Sequence, residues 1–242
     1  MDPGTYNVLL LVGRPASGKS EIIDFLKRLP EDVRRQRYHL AALDVLDDFP
    51  MLWTWFEEDD LLSRRLGRPR LYTDERGYFK DEALWHLLIE RLGLEYRKRR
   101  RDDPAYPSRA TALIEFARGV EHGGYAAAFA HLDEDLLRQA AIVYVRVSFE
   151  ESLRKNRRRA NPDRPDSILE HSLPDDKLEH LYRDDDWTSL ASGERGVIKL
   201  GAVPVPFAVF ENSDDVTTGR PDELGSRLQT VLAGLWELYR AR

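Results

Sequence analysis

Val8-Leu9-Leu10-Leu11-Val12-Gly13-Arg14-Pro15-Ala16-Ser17-Gly18-Lys19-Ser20 is the stretch that decides the fold. Val8 to Val12 is a short, unbroken apolar run, which reads as a strand of a parallel sheet buried on both faces. Gly13 to Ser20 fits the spacing G-x-x-x-x-G-K-[ST]. Beyond it, Ile22, Ile23, Leu26 and Leu29 recur at helical spacing until Pro30 stops the helix. Strand, glycine-bounded loop and helix in that order make an anion cradle. Gly13 lets the chain leave the strand sharply, and Gly18 keeps Cβ atoms away from a bound phosphate. Successive backbone N–H groups then face one concavity at a helix N-terminus, whose partial positive charge favours anions.

Within that loop Lys19 supplies a point charge for β- and γ-phosphates, and the Ser20 hydroxyl is the natural Mg²⁺ ligand. The expected nucleotide is ATP or GTP, held by Gly13, Arg14, Pro15, Ala16, Ser17, Gly18, Lys19 and Ser20. The chain has 242 residues, 42% of them hydrophobic, enough for one α/β domain with an insertion. With no cysteine, neither a disulfide framework nor a Cys-ligated zinc site is possible. The histidines lack metal-ligand spacing. No basic stretch precedes the first apolar run, which is too short for a signal or membrane helix; a cytoplasmic protein is expected. A net charge of −6 argues against a general nucleic-acid coat protein.

Working outward, Tyr38 to Leu43 reads as a second strand ending at Asp44, with Asp47 and Asp48 close behind. Ligands of open α/β sheets bind beyond the carboxyl ends of the strands, so Asp44 is the expected acceptor-side carboxylate. Residues 51–107, rich in aromatics and charge, read as a mostly helical insertion over the substrate side, with most of the aromatics forming its own small core. The basic run Arg97 to Arg101 suits a helix end, with a nucleic-acid contact as the alternative. Ala110 to Arg118 reads as a third strand. Glu115 inside it needs a metal-linked water or an arginine to offset its burial, and Arg118 emerges where it can grip a phosphate. Tyr125 to Ala141 reads as a helix and Ala141 to Val147 as a fourth strand. Arg154, Arg157 and Arg158 then share one helical face, where like charges repel unless anions sit against them. Residues 154–173, broken at Asn161-Pro162-Asp163-Arg164-Pro165, read as a lid. Asp184 to Asp186 reads as a solvated end, Val203 to Phe210 as the last strand, and Pro221 to Tyr239 as a closing amphipathic helix.

These features resemble the P-loop kinases of the nucleoside and nucleotide kinase group, from Val8 to Val147 and on through the basic helix to Arg159. The resemblance implies a single three-layer αβα P-loop NTPase domain over residues 1–242, with a five-stranded, mostly parallel sheet, a helical insertion and a lid. It implies that Asp44 meets the acceptor hydroxyl, that Glu115 and Arg118 serve metal and phosphate, and that Arg154, Arg157 and Arg158 close over the transferring group. Asn212 and Ser213, after the last strand, would lie near the base. Ala16 stands where many of these kinases have glycine, and no Asp-based acidic motif follows the third strand. The implied activity is phosphoryl transfer from ATP, with Mg²⁺, to a small-molecule acceptor such as a nucleoside or nucleotide. A nucleic-acid end kinase or RNA-processing NTPase and a nucleotide-binding regulatory ATPase are the alternatives. No membrane partner is expected, and a homodimer stays open.

Overall fold

In the computed structural model, which describes residues 4–159 and 172–242, β1 (Val8–Gly13) runs inside the sheet between β3 (Ala110–Phe116) and β4 (Ala140–Arg146). Beyond β3 lies β2 (Ala42–Asp47); beyond β4 come β6 (Val203–Glu211) and then β5 (Arg195–Leu200). Every neighbouring pair is parallel except β5 with β6. All of β1 is buried, as its unbroken apolar run requires. Alternate residues of β1 feed two cores. Val8, Leu10 and Val12 face one, and Leu9 and Leu11 face the other.

The Leu9 face is covered by α1 (Lys19–Arg28), α2 (Glu31–Tyr38) and α11 (Pro221–Arg240), through residues such as Ile22, Leu26, Leu228 and Leu232. The opposite face carries α4 (Ala83–Asp102), α5 (Tyr106–Arg109), α6 (Gly124–Ala130), α7 (Glu134–Leu137) and α10 (Trp187–Leu190). Ile89, Leu92 and Tyr96 of α4 recur at helical spacing and enter that core. The remaining helices are α3 (Phe49–Leu66), α8 (Phe149–Arg159) and α9 (Asp175–Tyr182). The result is a three-layer α/β fold of the P-loop NTPase type. No helix among the described residues is long and apolar enough to cross a membrane.

Several expectations are corrected. The sheet has six strands, not five, because Arg195–Leu200 folds back antiparallel on β6 as an edge strand. The second strand begins at Ala42, because α2 runs through Tyr38 and the chain turns at His39 in a left-handed conformation (φ 56°). Asp44 therefore sits inside β2, where it accepts hydrogen bonds from Arg99 Nε (2.5 Å) and the Tyr106 hydroxyl (2.9 Å). The helix expected over Tyr125 to Ala141 is two, because Asp133 is extended and restarts the chain at Glu134. Of residues 51–107, α4 is a crossover helix of the layer itself. Of Asp184 to Asp186, Asp184 is exposed as expected, but Asp185 and Asp186 are not a solvated end. Asp185 pairs with Arg14 at 2.6 Å, and Asp186 accepts the Tyr125 and Ala126 N–H groups at the start of α6.

Between α3 and α4 the chain is pinned by Asp59, which is fully buried. Its carboxylate accepts the N–H groups of Leu71 (2.5 Å), Tyr72 (3.0 Å) and Thr73 (2.6 Å), and the Thr73 hydroxyl (2.7 Å). Burial pushes its pKa up, but these donors outweigh burial and hold it below the usual carboxylate range. The break expected at Asn161 to Pro165 lies outside the described residues.

Candidate active site

The loop after β1 lies at the carboxyl end of the sheet, where the chain has gone to β3 on one side and β4 on the other. Gly13 is required by close approach: a Cβ there would stand 2.6 Å from the Val145 carbonyl oxygen. Gly18 has φ +108° and a Cβ would fall 2.5 Å from Asn212 Nδ2 and 2.8 Å from Thr217 Oγ1. Ala16 adopts a left-handed φ of 55°, a conformation that costs a non-glycine residue about 1 kcal/mol. Ser17 Oγ is buried and has no hydrogen-bond partner among the described residues. Ser20 is exposed at the start of α1 and lines the cleft.

Behind the loop is a brace that the sequence did not reveal. Asn212 is fully buried and donates to the Ser17 carbonyl (2.7 Å) and to Thr217 Oγ1 (2.9 Å). Lys155 donates to Thr217 Oγ1 and pairs with Asp215 at 2.7 Å. Ser152 Oγ donates to the Pro15 carbonyl (2.7 Å). Asn212 thus holds the loop from its rear, not the base, and Ser213 bonds Glu211 away from the main cleft. Arg14 points backwards too, donating to the Tyr182 and Arg183 carbonyls. Gly18→Ala is expected to push Asn212 off the Ser17 carbonyl. Stability should fall by about 1–3 kcal/mol and nucleotide binding should be lost, read by urea unfolding and calorimetry.

Lys19 is buried and donates to the Gly13 (3.0 Å) and Arg14 (2.9 Å) carbonyls, with Nζ 4.0 Å from Glu115. Burial lowers its pKa, and Glu115 opposes that shift. Asp47 stands opposite Glu115 in the β2–β3 register, at the carboxyl ends of both strands. Burial, then the charges of Glu115 and Asp48, push Asp47 up to about 7, and burial likewise raises Glu115. This pair of carboxylates lines the same cleft as the Ser20 hydroxyl, and such all-oxygen donors suit a hard cation such as Mg²⁺, which takes one or two carboxylates and fills its remaining positions with phosphate and water. Among the described residues no three His, Asp or Glu side chains gather into a metal cage.

Asp48 is paired with Arg118 at 2.7 Å, and both are buried. Arg118 also donates to the Trp85 and Ala117 carbonyls. It is therefore a buried strut at the cleft wall and not the free phosphate hook expected. The lid arginines already face anions of the protein: Arg154 meets Glu151 and Asp215, Arg157 meets Asp175, and Arg158 reaches Asp215 at 3.4 Å. Only Arg158 of these three lines the cleft; it is joined there by Arg159, which pairs with Glu21 at 3.0 Å.

The cleft holds about 1770 Å³. From the loop and α8 it runs to a wall made by α3, the segment before α4, and α9. Phe79 packs edge-on to Trp85, Trp85 stacks on His122 at 3.8 Å, and Tyr182 meets His122 edge-on. Burial first, then Arg118, lowers the His122 pKa to about 3, from an ordinary 6.5. Between those two values the unfolded chain holds a proton that the folded chain refuses, so His122 subtracts stability as pH falls through that window, by up to about 1.4 kcal/mol per pH unit. Urea midpoints at pH 7 and 4.5 should lie closer together in His122→Phe than in the wild type.

The sequence matches no protein-family model and no curated protein. Among solved structures, an unliganded sugar kinase from Janibacter sp. HTCC2649 aligns over 95% of each chain at 14% identity, with a TM-score of 0.48. Kti12 of Chaetomium thermophilum, solved with ADP-AlF3, aligns over 95% of this chain and 97% of that chain at 11% identity, with a TM-score of 0.49. Likenesses of that size do not carry a function; the class rests on this chain's own sheet order and loop.

Proposed function

We propose that the protein is a nucleotide-dependent phosphotransferase that moves the γ-phosphoryl group of ATP or GTP to the hydroxyl of a small molecule. The observation that carries this reading is one cleft, with the glycine loop and Lys19 at one end and the paired strand-end carboxylates Asp47 and Glu115 opening towards an aromatic wall. A binding-only regulator has no use for the second half of that cleft. Loop amides and Lys19 hold the phosphates, and Arg158 and Arg159 leave their protein partners to stabilise charge on the transferring group. Ser20 and Glu115 would hold Mg²⁺, which neutralises phosphate charge when bound. Asp47, rather than Asp44, meets the acceptor hydroxyl, because it stands at the strand end and lines the cleft while Asp44 is occupied by Arg99 and Tyr106.

The nucleic-acid alternative loses its main support. In the basic run, Arg97 pairs with Asp133, Lys98 with Glu95, Arg99 with Asp44 and Arg101 with Asp102, while Arg100 lies over the Tyr96 ring. A run so matched by acids offers little to a phosphate backbone. The test is ADP release with ATP and Mg²⁺ across nucleosides, nucleotides, sugars, aminoglycosides and oligonucleotide ends. Acceleration by a small hydroxyl compound supports the proposal; slow release that no acceptor changes supports the regulatory ATPase.

A further inference from the structure

The geometry points to an acceptor that is a hydroxyl-bearing organic cation, an inference that rests on the phosphotransferase reading. At the acceptor end the cleft presents the aromatic rings of Trp53 and Phe56, whereas Trp85 is already stacked on His122 and lies under Arg118. Around them stand Glu57, Glu82, Glu121 and Asp176, all exposed and without an ion pair among the described residues. Against these four carboxylates this end sets two cations, Arg76 and Lys177, besides Arg118, which is paired with Asp48. Arg76 and Lys177 lie over the Tyr78 ring, at 5.5 and 5.0 Å, and Lys177 donates to the Gly77 carbonyl. Aromatic faces backed by carboxylates in excess of cations attract ammonium groups and repel phosphates and carboxylates.

A second, independent observation concerns the hydroxyl. His122 lines this wall at 1% exposure. Its Nδ1 accepts the Gly119 N–H at 3.3 Å, which leaves the proton of the neutral ring on Nε2. That Nε2 has no hydrogen-bond partner among the described residues. A buried donor without a partner is costly, and an acceptor hydroxyl oxygen would satisfy it. In the transfer, that oxygen bonds to the γ-phosphorus as the bond to the β,γ-bridging oxygen breaks. The electron pair leaves with ADP, and the hydroxyl proton passes to Asp47.

The test uses the full chain with a non-hydrolysable ATP analogue and Mg²⁺, reading tryptophan fluorescence. The probes are choline against its neutral isostere 3,3-dimethylbutan-1-ol, and glucosamine against glucose and glucuronate. Each cation should bind at least about tenfold tighter than its neutral match, the worth of one cation–π contact. Glucuronate should bind weakest. Glu57→Gln with Glu121→Gln, both exposed, should shrink the cation preference severalfold without weakening the neutral probes. His122→Phe keeps the ring wall and should weaken all hydroxyl probes by about two- to tenfold. Neutral or anionic probes binding as tightly as the cations, or no cation binding at all, overturns the inference. The phosphotransferase reading fails separately, if calorimetry shows no ATP binding or if no acceptor of any charge raises ADP release.

Discussion

Lys19→Met is expected to cut acceptor-dependent ADP release by about a hundred- to a thousandfold while the protein stays folded. The lysine brings positive charge into the floor of the loop, and catalysis of this kind depends on charge placed in advance where the transition state needs it. Nζ now donates to the Gly13 and Arg14 carbonyls, a resting arrangement that a phosphate would take over. Methionine keeps the apolar stem and fills the same volume. The loss leaves Glu115 without the Lys19 cation, but burial already raises that carboxyl, and removing the lysine raises it further, which eases its protonation and limits the cost of the buried charge. The fold should therefore survive with a thermal midpoint lower by a few degrees. Single-turnover assays and a melting curve on the same preparation decide the matter. Undiminished turnover in a folded variant would take the loop out of the mechanism.

Arg118→Met should have the largest effect on stability, about 3–5 kcal/mol. Removing one member of a buried ion pair leaves the other charge without compensation. The guanidinium is fully enclosed, faces the buried Asp48, and lies over the Trp85 and Phe116 rings at 5.3 and 5.7 Å. It ties the end of β3 to the first turn of α4 through the Trp85 carbonyl. Its loss should loosen the aromatic wall as well as the strand end. Adding Asp48→Asn to Arg118→Met should recover part of the loss, because the stranded charge is then gone. A double-mutant cycle by urea unfolding measures that recovery. Strictly additive losses, or a single loss below about 1 kcal/mol, would show that the pair does not hold the cleft together.

Legibility in the sequence followed the range of the interaction. The loop, the strand before it and the helix after it are local: glycine spacing and apolar periodicity specify them within one stretch of chain. The same holds for β3, β4 and α11, whose apolar patterns are long and regular. Short patterns are less legible. Arg195–Leu200 alternates too weakly to announce an edge strand without β6 beside it. Asp44 directly follows the apolar run that ends at Leu43, which puts the strand end there; the strand instead begins at Ala42 and runs to Asp47, so a shift of a few residues moves the strand end.

By itself, then, the sequence determined that this chain builds an anion cradle between a buried strand and a helix within a three-layer α/β domain, since backbone geometry and apolar spacing act between near neighbours. Only the tertiary structure decided which charges are free to act. It spent Asp44 on Arg99, Arg118 on Asp48 and Asn212 on the rear of the loop, and it brought Asp47, Glu115, Arg159 and His122 to one cleft. An ionic side chain's role depends on what stands within a few ångströms of it, and those partners come from chain segments tens to hundreds of residues away.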